Sequence, residues 1–136
     1  MTDRTSAKGS IAVQVWQPEP YDEPAEGPAL VRIHVEEVFD GDVTGRGVAT
    51  FLQVLNADGS ATFCALERVT GSLAGRQGTF VLQDTGSLAA DGSVSGTWHV
   101  VPGSGTGELA GLRGEGGFAA RLGQNAEITL DHWFEG

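Results

Sequence analysis

The sequence is poor in cysteine, in basic residues and in long apolar segments. Cys64 is the single cysteine among 136 residues, so no disulfide can form within the chain, and a reducing compartment such as the cytoplasm is predicted. The 8 lysine and arginine residues are outnumbered by 18 aspartate and glutamate residues, and the formal net charge of −10 disfavours binding to nucleic acid or anionic lipid. No apolar run approaches the ~20 residues of a membrane helix. We therefore expect neither a nucleic-acid partner nor a membrane partner.

The N-terminal segment lacks the apolar run of a secretory leader. Arg4 and Lys8 supply positive charge, but no apolar stretch follows them within Met1–Ser10. We predict that residues 1–9 form a flexible segment and that residues 10–136 form one domain, because roughly 100–200 residues is the usual size of a single domain.

Helical periodicity is also scarce, because the 21 glycines interrupt almost every window of a dozen residues. Short segments rich in β-branched and aromatic residues recur instead, and each ends at Gly, Asp, Asn or Pro. The region Pro18–Pro28 contains four prolines, which predicts an extended loop. The remaining pattern predicts about eight strands, near Ser10–Trp16, Leu30–Phe39, Gly47–Leu55, Ala61–Val69, Gly78–Gln83, Ser93–Val100, Gly116–Ala120 and Ala126–Phe134.

These strands favour an all-β fold, a single closed antiparallel barrel with little helix. Asp58-Gly59 and Asp91-Gly92 are typical of tight hairpins, which indicates a meander of neighbouring strands. Closure into a barrel removes the open sheet edges that promote aggregation, and a barrel of about eight strands has room for one small ligand, as in lipocalins. A two-sheet sandwich remains an alternative. One helical turn is predicted within Gly107–Leu112.

Two long segments carry a resemblance to a known family. They are Thr62–Gly71, continued by Leu73–Gln83, and Val101–Gly116. The sequence resembles an uncharacterised bacterial domain-of-unknown-function family with an allene-oxide-cyclase-like barrel. The resemblance implies a small closed barrel that forms homo-oligomers. It implies no reaction, because fold alone does not determine function, and no catalytic residue is transferred from plant cyclases.

Glu67 is the first candidate for chemistry. Alternation along the strand places it on the same face as Phe63, Ala65 and Val69, which is the more apolar face. A carboxyl in apolar surroundings has a raised pKa and can act as a general acid or base. The alternative is an ion pair with Arg32 or Arg46 that only ties neighbouring strands together.

His34 and His99 are candidates for a second proton carrier. His34 shares a polar strand face with Arg32 and Glu36, which either lines a wet lumen or faces solvent. His34 and Glu36 are two possible metal ligands, but a metal site needs three or four, so no metal is expected. Gly105–Ala110 matches a dinucleotide-binding pattern without the βαβ unit that this pattern requires, so no cofactor is expected.

Large aromatic side chains are the candidates for ligand contact. Core packing explains most aromatic residues, but a pocket lined by some of them suits an apolar ligand. The residues we select are Trp16, Tyr21, Phe63 and Trp98.

The leading functional hypothesis is a barrel that binds a small, largely apolar molecule in its interior. A first alternative is a cofactor-free cyclase, isomerase or lyase with Glu67 as the general acid or base. A second alternative is a packed barrel that acts as a structural homo-oligomer, with Trp133 or Phe134 between subunits.

Overall fold

The computed structural model describes residues 3–121 and 123–135. Eight strands follow one another around a closed antiparallel barrel, as the strand pattern predicts, and β1 closes it by pairing with β8. This pairing excludes the sandwich alternative. A single 3-10 turn, η1, covers Gly107–Leu109. The strands are β1 Thr5–Asp22, β2 Ala29–Gly41, β3 Val43–Leu55, β4 Ala61–Leu73, β5 Arg76–Leu88, β6 Ser93–Val100, β7 Leu112–Arg121 and β8 Ala126–Phe134.

The interior is built by period-two alternation. In β2 the side chains of Val31, Ile33 and Val35 are buried in the lumen, whereas Arg32 between them is exposed. The same alternation runs along β4 and β5, so one face of every strand contributes to a shared apolar interior. Among the described residues, no helix is long and apolar enough to cross a membrane.

The barrel wall begins earlier in the chain than predicted. β1 starts at Thr5, and Thr5–Ile11 pairs with β8 in an antiparallel register. Most of the segment assigned to flexible residues 1–9 is therefore part of the wall, and the expected boundary at residue 10 is too late. Residues 1 and 2 of that segment lie outside the described residues.

The proline-rich region also differs from the prediction of a loop over Pro18–Pro28. β1 continues through Pro18 and Pro20 to Asp22, paired with β2, and only residues 23–28 connect the two strands. Among the described residues, β1 has no partner on its other edge beyond Ile11. Pro18 and Pro20 lie in this one-sided edge segment, and edge strands are where sheets accommodate proline.

One end of the barrel is sealed by the connection between β6 and β7. η1 places Leu109, which is completely buried, over the end of the apolar core. The backbone N–H groups of β5 hold this connection, because Thr79 donates to Thr106 Oγ1 at 3.1 Å and Val81 donates to Ser104 Oγ at 3.0 Å. The opposite end carries the hairpins between β3 and β4 and between β5 and β6, and there the lumen opens to solvent.

Candidate functional site

A cavity of about 470 Å³ enters the barrel from its open end. This volume lies within the range of about 300–1,000 Å³ that small-molecule sites occupy. Its walls are mainly apolar and include residues of all eight strands, and its rim includes the connection between β7 and β8. Aliphatic residues on the wall include Ile11, Ile33, Val35, Leu88 and Val94.

Aromatic rings form a continuous wall from the rim of the cavity to its floor. The ring centroids of Trp16 and Phe51 are 6.4 Å apart, and those of Phe51 and Phe63 are 5.3 Å apart. Phe118 continues this row, with its centroid 6.2 Å from Phe63 and 5.1 Å from Trp98. Trp98 is anchored because its indole N–H donates to the Thr129 carbonyl oxygen at 3.0 Å. These separations are typical of aromatic pairs that pack favourably.

Carboxyl groups lie at the floor of this apolar cavity. Glu37 on β2 and Asp84 on β5 line it, and both are buried. Glu67 on β4 lies just beneath the floor and is 1% exposed. The lumen therefore holds three acidic side chains where alternation would otherwise place apolar ones.

Gly47 on β3 makes room for Glu67. A Cβ atom at this position would overlap a carboxylate oxygen of Glu67 and would lie 2.8 Å from a ring carbon of Phe39. The register aligns Gly47 with Glu37 on β2, so this glycine faces the place where the two glutamates meet. The buried carboxyl at position 67 thus depends on the missing side chain at position 47.

The surroundings of these carboxyls favour their protonated forms. Burial raises the pKa of Glu67 well above its ordinary value of 4.5, and a hydrogen bond with Glu37 and the negative charges of Glu37 and Asp84 raise it further. Burial also raises the pKa of Glu37, and the hydrogen bond with Glu67 partly offsets this effect. A proton shared between the two glutamates is consistent with the raised pKa of both carboxyls.

Asp84 titrates closer to neutrality. Burial, and secondarily the charge of Glu37, raise the pKa of Asp84 from 3.8 to about 7. Asp84 is 1% exposed, yet it contributes to the cavity lining. Asp84 is therefore the cavity-lining carboxyl whose charge changes near neutral pH.

Several buried oxygens at this floor lack partners. Apart from the contact with the Glu37 carboxyl, neither Glu67 oxygen has a hydrogen-bond partner among the described residues, and Asp84 Oδ1 has none. Within this part of the chain, no salt bridge reaches any of the three carboxyls. The predicted alternative, in which Glu67 pairs with Arg32 or Arg46, is wrong. Arg46 lies 3.8 Å from Glu36 on the outer surface, and Arg32 lies over the Tyr21 ring.

The structure brings together four of the residues selected from the sequence. Trp16, Phe63 and Trp98 line the cavity, and Glu67 lies under its floor. Trp16 is 50% exposed because it sits at the rim.

Three other selected residues lie on the outer surface. His34 Nε2 is 2.8 Å from Glu36 Oε2, and His99 lines a shallow outer depression with Glu115 and Asp131. Tyr21 is 49% exposed and faces Arg32. The lumen-facing positions are odd-numbered in β2 and even-numbered in β6, so the barrel wall separates both histidines from Glu67.

Glu37 and Asp84 are site residues that sequence reasoning missed. Each continues the parity of buried apolar neighbours: Glu37 lies between Val35 and Phe39, and Asp84 follows Leu82 on alternate positions. An acidic residue that interrupts an apolar alternation is the signal that could have identified both.

The buried histidine is His132, at the sealed end of the barrel. Its ring meets that of Phe134 edge to face, 6.2 Å between centroids, away from the cavity. The described residues contain no cluster of three or more His, Cys, Asp or Glu side chains placed to hold a metal ion.

Comparisons with known proteins match this fold over almost its full length. Residues 7–132 match the profile of a family described as "Protein of unknown function (DUF3224)". A crystal structure of a DUF3224 protein with unknown function from Shewanella oneidensis MR-1 is 33% identical in sequence and superposes with a TM-score of 0.83. The match covers 98% of this chain and 100% of that chain. No curated protein is significantly similar to the sequence.

Proposed function

The chain belongs to the DUF3224 family of proteins of unknown function, and we propose that its barrel binds a small, largely apolar molecule in the cavity at its open end. The observation that carries this proposal is the cavity itself, about 470 Å³ and walled by a row of aromatic rings. Apolar surface that remains in contact with water is unfavourable, and a ligand of complementary shape removes that contact.

Uptake of the neutral fluorophore Nile red tests this function. Ala120 lines the cavity, whereas its neighbour Ala119 is exposed on the outer face. Ala120→Phe fills part of the cavity, so we expect a loss of affinity of about tenfold or more, since a buried ring occupies space that the ligand needs. Ala119→Phe is the matched control and keeps the affinity of the wild type. Absence of Nile red uptake by the wild type, or equal affinity in both variants, overturns the proposal.

Acid–base catalysis is a second candidate function, supported by the titration of Asp84 near pH 7 at the cavity wall. A carboxyl that is partly protonated at working pH both accepts and donates protons efficiently. A cyclase, isomerase or lyase reaction on an apolar substrate needs such a group in a shaped cavity. Asp84 then contacts the substrate, and Glu67 beneath it acts as a positioning residue. The outer-face histidines, His34 and His99, have no part in this scheme.

Deuterium exchange into β-tetralone, an apolar ketone with acidic C–H bonds, tests this activity in D₂O. The Asp84 carboxylate removes a proton from the carbon beside the carbonyl, exchanges it with solvent and returns a deuteron. Nuclear magnetic resonance should show incorporation above the buffer rate for the wild type and not for Asp84→Asn. Exchange at the buffer rate with β-tetralone and related cyclic ketones contradicts the catalytic proposal without affecting the binding proposal.

Self-association is a third candidate, supported by the outer face of β3 and β4. Val48, Leu52 and Leu66 are exposed there by 51%, 45% and 57%. The register places Glu36, Val48 and Arg68 in one row across three strands. A second copy rotated by 180° about an axis along β3 sets the Glu36 of each copy against the Arg68 of the other, which makes this face self-complementary.

Sedimentation velocity with Leu66→Lys tests this interface. The wild type should sediment as a dimer and the variant as a monomer, whereas Thr129→Lys on the outer face of β8 should leave the dimer intact. Trp133→Ala should also leave it intact, because Trp133 contacts Arg4 of its own chain. A wild type that remains monomeric at tens of micromolar overturns this assignment.

A further inference from the structure

The floor of the cavity differs in chemistry from its walls. The walls are aromatic and aliphatic, but Asp84 Oδ1 is a buried acceptor without a partner, and Glu37 lies beside it on the same lining. Nearly all buried polar atoms in proteins are hydrogen-bonded, so an unpartnered acceptor at the base of an open cavity needs an explanation. A donor group supplied by a ligand is one that fits the location.

We propose that the molecule bound in this cavity carries a protonated amine, and that Asp84 and Glu37 bind this amine at the cavity floor while the apolar body of the molecule lies along the aromatic wall. This inference rests on the proposed binding function and adds the chemical class of the ligand. It also assigns the orientation of the ligand: the amine lies at the floor and the apolar body lies toward the rim.

At a pH above 7, where Asp84 is ionised, the charge distribution around the floor favours a cation over an anion. Arg121 is the one basic residue among the described residues that line the cavity; it is exposed at the rim, and its guanidinium donates to the Asp91 carbonyl oxygen at 3.4 Å. No salt bridge in the described part of the chain neutralises Asp84 or Glu37. A ligand carboxylate at the floor would meet like charge, and a hydrocarbon would leave Asp84 Oδ1 unsatisfied.

The aromatic rings next to the floor support the same ligand class. The faces of aromatic rings attract cations, and this attraction is strongest where water is excluded. Trp98 is 5% exposed, and its indole N–H is already used by Thr129, so its ring rather than its N–H is available to a ligand. Phe118 packs against Trp98 and extends this surface toward the rim.

Glu67 acts on this site as a positioning residue. It lies beneath Glu37, and a proton shared between the two carboxyls leaves one negative charge on a pair whose cavity-lining member is Glu37. The residues paired in register with these carboxyls on neighbouring strands include Gly47, Ala49, Ala65, Leu82 and Trp98, none of which is ionisable. The charge of the floor is therefore governed by Glu37, Glu67 and Asp84 alone within the described residues.

Three ligands with one ring system and different head groups test the inference: 2-naphthylmethylamine, 2-naphthalenemethanol and 2-naphthoic acid. Their affinities are measured at pH 8 by titration calorimetry, with Nile red displacement to confirm that all three occupy the same cavity. We expect the amine to bind at least about tenfold more tightly than the alcohol, as a hydrogen bond to a charged partner predicts, and the acid to bind most weakly.

Variants test whether the carboxyls at the cavity floor cause the preference for the amine. Asp84→Asn, and independently Glu37→Gln in case the first variant does not fold, should reduce the preference for the amine toward unity. Glu36→Gln removes the same charge from the adjacent outer-face position and should keep the preference.

The outcomes separate the two proposals. Equal affinity for amine and alcohol in a wild type that takes up Nile red overturns the amine assignment and leaves the binding function in place. An amine preference that persists in both floor variants also overturns it. Failure of every probe, Nile red included, overturns the binding function and the amine assignment together.

Discussion

A buried carboxyl at position 67 requires agreement among several residues. Glu67 occupies a position that parity assigns to the lumen, Gly47 leaves the space for its oxygens, and Glu37 approaches closely enough to share its proton. An ionised carboxylate in such surroundings is costly, whereas a protonated carboxyl costs much less. Because of these residues, the stability of the fold depends on pH.

Asp84 gives this dependence a defined pH range. Its pKa is 3.8 when unshifted and about 7 in the folded protein, so the folded state holds more protons than the unfolded state between these values. The free energy of unfolding therefore falls as pH rises from about 4 to 7 and changes no further through this group above that range. Asp84→Asn should reduce this fall by on the order of 1–4 kcal/mol in urea unfolding.

Asp131→Asn removes an exposed carboxylate from β8 and serves as the control for this prediction. It should leave the pH dependence unchanged. A wild type that becomes more stable from pH 4 to 7 would contradict a raised pKa of Asp84 in the folded protein.

Gly47 and Glu67 should be energetically coupled. Gly47→Ala introduces a methyl group that overlaps the Glu67 carboxylate and crowds Phe39, so we expect a loss of about 1–3 kcal/mol in the free energy of unfolding. The same substitution in a Glu67→Ala background should cost less, because the methyl group then occupies vacated space. Additive effects in this double-mutant cycle would show that the two residues do not compete for the same space.

The candidate site could be predicted only in part from the sequence. Parity within β4 identifies Glu67 because its neighbours on the same face are apolar, and it selects Phe63 with it. Parity does not show which face of β2 or β6 points inward, so the outer histidines His34 and His99 were chosen while Glu37 was missed. One strand read alone does not settle the orientation of the next, since register between strands is fixed only by the closed sheet.

At the scale of elements, the connection between β6 and β7 closes one end of the apolar core. It folds back onto β5 through backbone and side-chain hydrogen bonds and inserts Leu109 into the end of the core. Gly78 permits this approach, because a Cβ there would collide with the carbonyl oxygen of Thr106. The connection is thus part of the folded core.

Leu109→Ala should therefore destabilise the barrel strongly. Removal of a fully buried leucine side chain typically costs about 2–5 kcal/mol, and η1 closes the end of the core with this side chain. Val38→Ala removes an exposed aliphatic side chain from the outer face of β2 and should change stability by less than about 0.5 kcal/mol. Similar midpoints of urea unfolding for the two variants would mean that η1 does not seal the core.

The strands themselves were largely predictable, and their ends were not. Alternation located all eight strands, and the Asp-Gly turns located the hairpins between β3 and β4 and between β5 and β6. Thr5–Gly9 and Pro18–Asp22 were excluded because their local sequence lacks strand character. Pairing across the barrel places the first segment beside β8 and the second beside β2, so partners distant in the chain overrode local preference.

For the whole molecule, the net charge of −10 opposes compactness. The chain has 18 acidic and 8 basic residues, and mutual repulsion of excess negative charge weakens as salt screens it. The melting temperature should rise by several degrees when NaCl is increased from about 10 to 200 mM at pH 8, since the Debye length falls from ~30 to below ~10 Å. A melting temperature that falls over this range would indicate that attractive ion pairs outweigh the repulsion.

Among the described residues, the seal formed by Leu109 leaves the opposite end of the barrel as the entrance to the cavity. A ligand of the proposed kind would enter past Trp16 and leave by the same route, so a second molecule would bind only after the first had left. If the protein is a carrier, it releases its ligand at the rim, and a protein that receives the ligand has to bind there. If the protein is an enzyme, it is subject to product inhibition, because bound product blocks the entry of substrate.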